Sequence, residues 1–343
     1  VPGGAEATAR PAVALDGFGA ERGFDVLAAG ARMAAADGIR MRVFGPPGDL
    51  ELDGAEGIEV VPADDWIRNE EEPIAGVRTR PEASIVRAAA DVSEGRSGAL
   101  VSVGSTGATM AAATFGLKRL RSVKRPALAA VLPLPPGPVV FLDIGANEEA
   151  RAQHLIQFAF LGAAFSAAVL GIAQPRVALL SNGTESSKGT PVVVEAHEAL
   201  AGASGINFIG NVEGTDFAGV ADVIVSDGFT GNVVLKTLEG TAKMVAGMIR
   251  TAARSNPIAA AGGLLMRPAM GPLREKFDPD STGGAVLLGL RQPVVVGHGM
   301  SGEDGVANAV RLAARCIEQD AVPRTEALLR EGHATRSELP GSA

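Results

Sequence analysis

Among 343 residues there is one cysteine, one tryptophan and no tyrosine. The lone Cys316 permits no disulfide within the chain and no cysteine-rich metal site. Its Ala- and Leu-rich helical surroundings make it a buried thiol. Aromatic residues are only 4% of the chain, which leaves the core to Ala, Val, Leu and Ile. The net charge is −8, and the only dense basic stretch is KRLRSVKR (118–125). That argues against nucleic-acid binding, which needs a concentrated basic surface. The same stretch is at most a local patch for an acidic macromolecular partner. None of the four histidines has a zinc spacing, so no metal is expected. No G-x-S-x-G elbow is present, which argues against a covalent acyl-enzyme. Residues 1–11 lack the apolar centre of a signal peptide and read as a flexible leader. Residues 152–175 contain no Asp, Glu, Lys or Arg and are long enough to span a bilayer. His154 and Gln157 interrupt that run and a strand follows it, so it reads as the buried helix of an α/β core. Nothing in the sequence exports the chain or spans a bilayer, so the expected location is cytoplasmic, partly peripheral to the inner face of the membrane.

What the chain has in quantity is glycine, 44 residues without a collagen-like period, and a hydrophobic fraction of 46%. Short apolar strands are expected at 12–15, 40–44, 57–61, 99–103, 127–132, 138–142, 176–180, 206–209, 222–226 and 293–297. Helices are expected at 24–37, 82–94, 107–117, 151–170, 190–200, 231–254 and 303–319. Alternation of this kind predicts an α/β fold, a Rossmann-like layered, mostly parallel sheet covered on both faces. The expected domain runs over 12–331, with a soft lobe boundary at the prolines of 133–138 and a flexible tail over 332–343. Residues 255–283 break the rhythm as an amphipathic helical insert. Its Leu264, Leu265, Met266 and Met270, beside Arg267, Arg274 and Lys276, suit weak peripheral membrane contact or cover for a second subunit.

The candidate site residues stand after apolar runs, where α/β proteins place small-molecule sites. Asp16 ends the first strand. The following glycines fall at 17, 19 and 23, which misses the dinucleotide spacing, and no cofactor is expected. In VGSTGATM, Gly104, Ser105, Thr106 and Gly107 offer N–H groups and hydroxyls to an anion, without the lysine of a phosphate-binding P-loop. In DIGANEEA, Asp143 closes a strand and Asn147 precedes a helix. In SNGTESSKG, Asn182, Thr184, Glu185 and Lys188 form a polar loop, with Lys188 suited to a phosphate or an oxyanion. Asn211 and Glu213 follow another strand. In DGFTGNVVLKTLEG, Asn232, Lys236 and Glu239 share a helix face, and Asp227 is placed to accept a proton, bind a cation or orient Lys236. His298, between glycines at a strand end, suits proton exchange near neutrality.

Taken together, the stretches STGA (105–108), RPALA (125–129), LDIGAN (142–147), HLIQFA (154–159), PRVALL (175–180), NGTESSKG (182–189), NFIGNVEG (207–214), DGFTGNVVLKTLEG (227–240), GGAVLLGL (283–290) and HGMS (298–301) resemble the bacterial phosphate acyltransferases of phospholipid synthesis. The resemblance implies transfer of a long-chain acyl group from acyl carrier protein to inorganic phosphate. It implies a fold similar to the isocitrate and isopropylmalate dehydrogenases and the phosphate acetyltransferases. It also implies a homodimer whose counterpart of 255–280 is a helical hairpin touching membrane. Lys188, Asp227, Asn232, Lys236 and His298 are then the expected catalytic set. The remaining polar residues named above would hold substrate or phosphate. A phosphate acetyltransferase-like enzyme acting on short acyl-coenzyme A, or a degenerate regulatory member, would share the same pattern. The family's first strand usually ends Asp-Ala-Met-Gly-Gly-Asp-His, where this chain has Asp16-Gly17-Phe18-Gly19-Ala20-Glu21-Arg22.

Overall fold

The computed structural model describes residues 11–276 and 279–339, and the side chains at 267, 269–276 and 279 lie outside the described residues. In chain order the first elements are β1 (Ala12–Asp16), α1 (Phe24–Ala36), β2 (Met41–Gly45), α2 (Pro47–Leu50), β3 (Ile58–Pro62), α3 (Pro73–Thr79), α4 (Ser84–Ser93), β4 (Ser97–Ser102) and α5 (Thr106–Ala112), which ends in a π-helical turn at Ala113–Leu117. They continue with β5 (Ala127–Leu132), β6 (Val139–Leu142), α6 (Ala152–Val169), β7 (Arg176–Leu180), α7 (Pro191–Ala201), β8 (Asn207–Val212), β9 (Val223–Val225), α8 (Gly228–Ala253) and α9 (Pro257–Lys276). The last are β10 (Ala285–Leu288), β11 (Val294–Val296), α10 (Glu303–Glu318) and α11 (Ala321–Glu331). The chain divides into two compact units. One runs to Leu120 and resumes over Gly283–Val322; the other is Arg121–Thr282 and resumes at Pro323.

In the first unit the strand order is β3-β2-β1-β4-β11-β10, parallel except for β10 against β11. Val13, Ala14 and Leu15 are fully buried, as are Leu100 and Val101. Strands covered on both faces need such continuous apolar runs. Helix α1 packs on α10 through Gly30, where a Cβ would stand 2.6 Å from the Glu303 carbonyl oxygen. Cys316 is buried on α10, and burial pushes its thiol up to about 12.

In the second unit the order is β5-β6-β9-β7-β8. β5 and β6 pair antiparallel across the proline-rich 133–138 connection, and β6, β9, β7 and β8 are parallel. The charge-free run forms α6, of which 89% is buried, so it is a core helix. Gly162 lets α6 lie on the sheet, since a Cβ there would stand 2.5 Å from Val223 Cγ1. The start of the expected tail packs in this unit. Gln157 Nε2 donates to the Ala334 and Ser122 carbonyls, and the Arg336 N–H also donates to Ser122 O.

Helices α8 and α9 pack against each other, yet α8 buries only Gly228 and Gly231. Met244, Met248, Leu264 and Met266 are exposed along the pair, with Ile258 85% and Leu265 82% accessible. The side chains of Met270, Arg267, Arg274 and Lys276, named in the expected insert, lie outside the described residues. Four elements were not expected from the sequence: the short α2; α3, which opens at Pro73 and contains Gly76; β10, four residues between glycines; and α11. The fold class is as expected, α/β with a mostly parallel sheet.

Candidate active site

In the second unit, the carboxyl ends of β6, β9, β7 and β8 line one sheet edge in that order. They carry Asp143, Asp227, Asn182 and Asn211–Glu213 respectively, four of the polar groups expected there. Asp143 is fully buried, and its carboxylate accepts five hydrogen bonds, from the N–H groups of Leu128, Gly145, Ala146 and Asn147 and from Asn147 Nδ2, at 2.7–3.2 Å. Those donors favour the ionised form, while burial pushes the carboxyl above its ordinary value. Asn147 is buried too; its Nδ2 also donates to Pro126 O at 2.8 Å. Asp143 and Asn147 therefore fix the 143–147 turn.

That turn seats the first turn of α8. The Gly228 N–H donates to Asn147 O at 2.8 Å, and Asn232 Nδ2 donates to Ile144 O at 3.1 Å. A Cβ on Gly231 would stand 1.9 Å from the Asp143 carbonyl oxygen, and one on Gly228 would stand 2.5 Å from Asn147 O. The glycines of DGFTGN are thus required by close backbone approach. Asp227 is the N-cap of α8: its carboxylate accepts from Thr230 N at 2.8 Å and Thr230 Oγ1 at 2.7 Å. Lys236 and Glu239 are paired at 3.0 Å on the exposed side of the helix.

The 182–188 loop after β7 is held from β8. Asn211, buried, donates through Nδ2 to Glu185 O at 2.9 Å, and its Oδ1 meets His197 Nδ1 at 2.9 Å. Since Asn211 Nδ2 is the donor to Glu185, His197 Nδ1 carries the proton toward Oδ1. Lys188 donates its backbone N–H to Glu185 O at 3.0 Å, while its side chain is exposed with no ion pair among the described residues. Asn182, Thr184 and Glu185 are exposed on the same loop, and Glu213 is half-buried. At the loop's root Ser181 Oγ is buried without a hydrogen-bond partner. An orphaned hydroxyl at a strand end invites a ligand or a water.

In the first unit the ends of β1, β4 and β11 are neighbours. Asp16 is buried and accepts from Ser84 Oγ at 2.6 Å and Ser102 Oγ at 2.9 Å. Burial raises its carboxyl from 3.8 to about 6 against the pull of those hydroxyls and the Phe18 N–H. Ser102 Oγ in turn accepts the Gly104 N–H at 3.1 Å. Gly19 turns against Gly104, where a Cβ on Gly19 would stand 2.5 Å from Gly104 Cα. Ser105 caps α5 by accepting from Ala108 N, and Thr106 and Gly107 begin the helix. His298 is exposed after β11. Its Nδ1 accepts the Met300 N–H at 3.1 Å, so the neutral ring carries its proton on Nε2. In that tautomer His298 offers a donor outward rather than a base.

The expected residues thus fall into defined groups: Asp143, Asn147, Asp227 and Asn232 around the α8 start; Glu185, Lys188 and Asn211 around the β7 loop; Asp16 with Gly104 in the first unit. Sequence reasoning missed Ser84, Ser102 and Ser181. Ser102 and Ser181 carried a signal, a hydroxyl closing an apolar strand just before a glycine turn. Ser84 carried none.

Residues 12–324 match the family described as "Fatty acid synthesis protein". A phosphate acyltransferase of Streptococcus pneumoniae (strain ATCC 700669 / Spain 23F-1) is 40% identical over 320 residues, spanning 91% of this chain and 97% of that protein. Among solved structures, a phosphotransacetylase from Streptococcus pyogenes has a TM-score of 0.58 at 18% identity, covering 90% of this chain and 94% of its own. A branched-chain phosphotransacylase from Enterococcus faecalis V583 also scores 0.58, at 16% identity and 90% and 99% coverage. A 4-hydroxythreonine-4-phosphate dehydrogenase from Klebsiella pneumoniae scores 0.52 at 14% identity, covering 92% and 100%. At such identities the solved structures show a shared fold alone.

Proposed function

The chain belongs to the bacterial phosphate acyltransferase family, and from that membership we propose that its acyl donor is a long-chain acyl thioester of acyl carrier protein. It is an acyltransferase of fatty-acid and phospholipid metabolism that joins an acyl group to phosphate. In the forward direction a phosphate oxygen attacks the thioester carbonyl, charge builds on the carbonyl oxygen, and the carrier thiolate leaves. A thioester is already activated, so positioning a multiply charged nucleophile is the main task. Lys188 is the best cation for it, because its ammonium is exposed and has no ion pair among the described residues, whereas Lys236 is partly neutralised by Glu239. Asn232, held at Nδ2 by Ile144 O, keeps its side-chain oxygen in one orientation. Asp227 acts as the cap that fixes α8, and His298 as a donor through Nε2. Asp16, Asp143, Asn147 and Asn211 hold the turns around them.

The observation that carries the long-chain, carrier-protein reading is the exposed apolar surface of α8 and α9, with Met244, Met248, Ile258, Leu264 and Leu265 accessible. A surface of this kind suits an enzyme whose acyl product is itself lipid-soluble. A lipid surface, or a second copy of the chain in a homodimer, would cover it. Phosphate-dependent loss of thioester, compared between palmitoyl carrier protein and acetyl-coenzyme A, tests the reading. Turnover of the palmitoyl carrier protein at the higher rate is expected; a decisive preference for the acetyl substrate overturns it.

A further inference from the structure

The first unit contains a groove of about 640 Å³ lined by the β1–α1 turn and the 64–70 segment. Its floor is aromatic. Trp66 lies parallel on Phe18, with ring centroids 4.7 Å apart and planes within 4°, and Phe24 meets Phe18 edge-on at 5.5 Å. Phe18 is buried while Trp66 is half-buried, so the indole is the part a ligand meets. Arg68 stands over the same ring at 5.3 Å. The rim is acidic: Glu21, Asp49, Asp64 and Glu70 line the groove, and none is ion-paired among the described residues. The groove abuts the β1 and β4 ends through Gly19 and Gly104, and the Glu21 N–H donates to Gly299 O beside His298.

We propose that this groove binds the neutral, amide- and hydroxyl-bearing arm through which a thioester donor presents its acyl group, a pantetheine-type chain. Flat aromatic rings take an amide plane or a branched methyl group face-on. Four unpaired carboxylates offer acceptors to amide N–H and hydroxyl donors, which a hydrocarbon chain lacks; burying them under an acyl chain would leave them unsatisfied. Their charge, against the single Arg68, repels phosphate and fatty carboxylates. Moving Arg68 aside costs little, because an exposed cation–π contact is weak. The proposal rests on the thioester donor of the preceding section.

Trp66 is the only tryptophan, in a chain without tyrosine, so its fluorescence reports on this groove alone. Titration of the full chain with free pantetheine to millimolar concentration should change the emission saturably, and inorganic phosphate should not. Acyl carrier protein and acyl-coenzyme A, which share the arm, should both produce the change. A response to coenzyme A alone would mean that its nucleotide is bound instead. Trp66→Ala should raise KM for the donor about three- to tenfold, the worth of one aromatic stacking contact. The kcat and the KM for phosphate should be unchanged, and Trp66→Phe should restore the donor KM. A response to dodecanoate but not to pantetheine, or to neither, overturns the proposal. If phosphate-dependent thioester loss is absent altogether, the donor reading fails, and the pantetheine titration still decides the groove by itself.

Discussion

Gly231 and Gly240 lie on one helix, and replacing each by alanine separates helix propensity from packing. Alanine is favoured over glycine in a helix interior by about 1 kcal/mol, so propensity alone stabilises both variants. At Gly240 a new Cβ meets nothing within 4 Å, and that gain should appear undiminished. At Gly231 the Cβ would stand 1.9 Å from Asp143 O, 2.7 Å from Ser226 Oγ and 2.9 Å from the Asp143 carbonyl carbon. The obstruction is mostly backbone, so no rotamer relieves it. Helix α8 must retreat by more than an ångström to reach ordinary contact. That retreat strains the Gly228 N–H to Asn147 O bond of 2.8 Å and the Asn232 Nδ2 to Ile144 O bond of 3.1 Å. Overpacking costs about 1–3 kcal/mol and each weakened hydrogen bond about 1 kcal/mol, for a net loss of about 3 kcal/mol after the propensity gain. Urea midpoints followed by far-ultraviolet circular dichroism should therefore fall for Gly231→Ala and rise for Gly240→Ala. A Gly231→Ala midpoint at or above that of the wild type would refute the close-approach account of the DGFTGN glycines.

Asp16 should leave a pH signature on stability. Its carboxyl titrates near 3.8 when unfolded and about 6 when folded, so the folded state holds the proton more tightly. The stability this provides is full below pH 4 and lost as pH rises through 6, by about 3 kcal/mol. Unfolding free energies of wild type and Asp16→Asn from urea titrations should accordingly diverge by most of that amount in the variant's favour between pH 4 and pH 7, and parallel profiles would contradict the burial of a free carboxyl. Lys188→Ala should raise the KM for phosphate at least about tenfold, the worth of one charge-assisted hydrogen bond, and Lys236→Ala should raise it less. Equal effects in phosphorolysis assays would mean that the Glu239 pair does not matter. Leu265→Glu should abolish flotation with anionic liposomes at low salt; a wild type that never floats there makes the α8–α9 surface a subunit contact only.

Where the candidate residues stand was legible because strand ends announce themselves. Asp16, Asp143, Asn182, Asn211 and Asp227 each close an apolar run of a few residues, and the parallel order of the strands carries them to sheet edges. Roles were less legible than positions. For Asp227 the sequence leaves open a proton acceptor, a cation ligand or a partner for Lys236, and only the fold adds that it caps α8 through Thr230. Asn211 reads in sequence as a substrate-binding residue, and only the fold adds that it is buried and tied to Glu185 O. The α3 helix was hidden by Pro73 and Gly76, and β10 by its length of four residues. The Trp66 groove was invisible, since its walls follow three separate strands, β1, β2 and β3, and meet only in the folded sheet.

The burial of Cys316 has a practical consequence. A thiol pushed up to about 12 is ionised in only about one molecule in ten thousand at pH 8, and its sulfur is shielded as well. Maleimide and iodoacetamide chemistry therefore sees a chain without cysteine. A single cysteine introduced on the open face of α8, at Gly240 for instance, would accept a dye without background. Trp66, the sole indole of the chain, would then be the one energy-transfer donor in each chain for that dye. Distances between the two units in solution become measurable, with and without phosphate, in an otherwise unaltered protein.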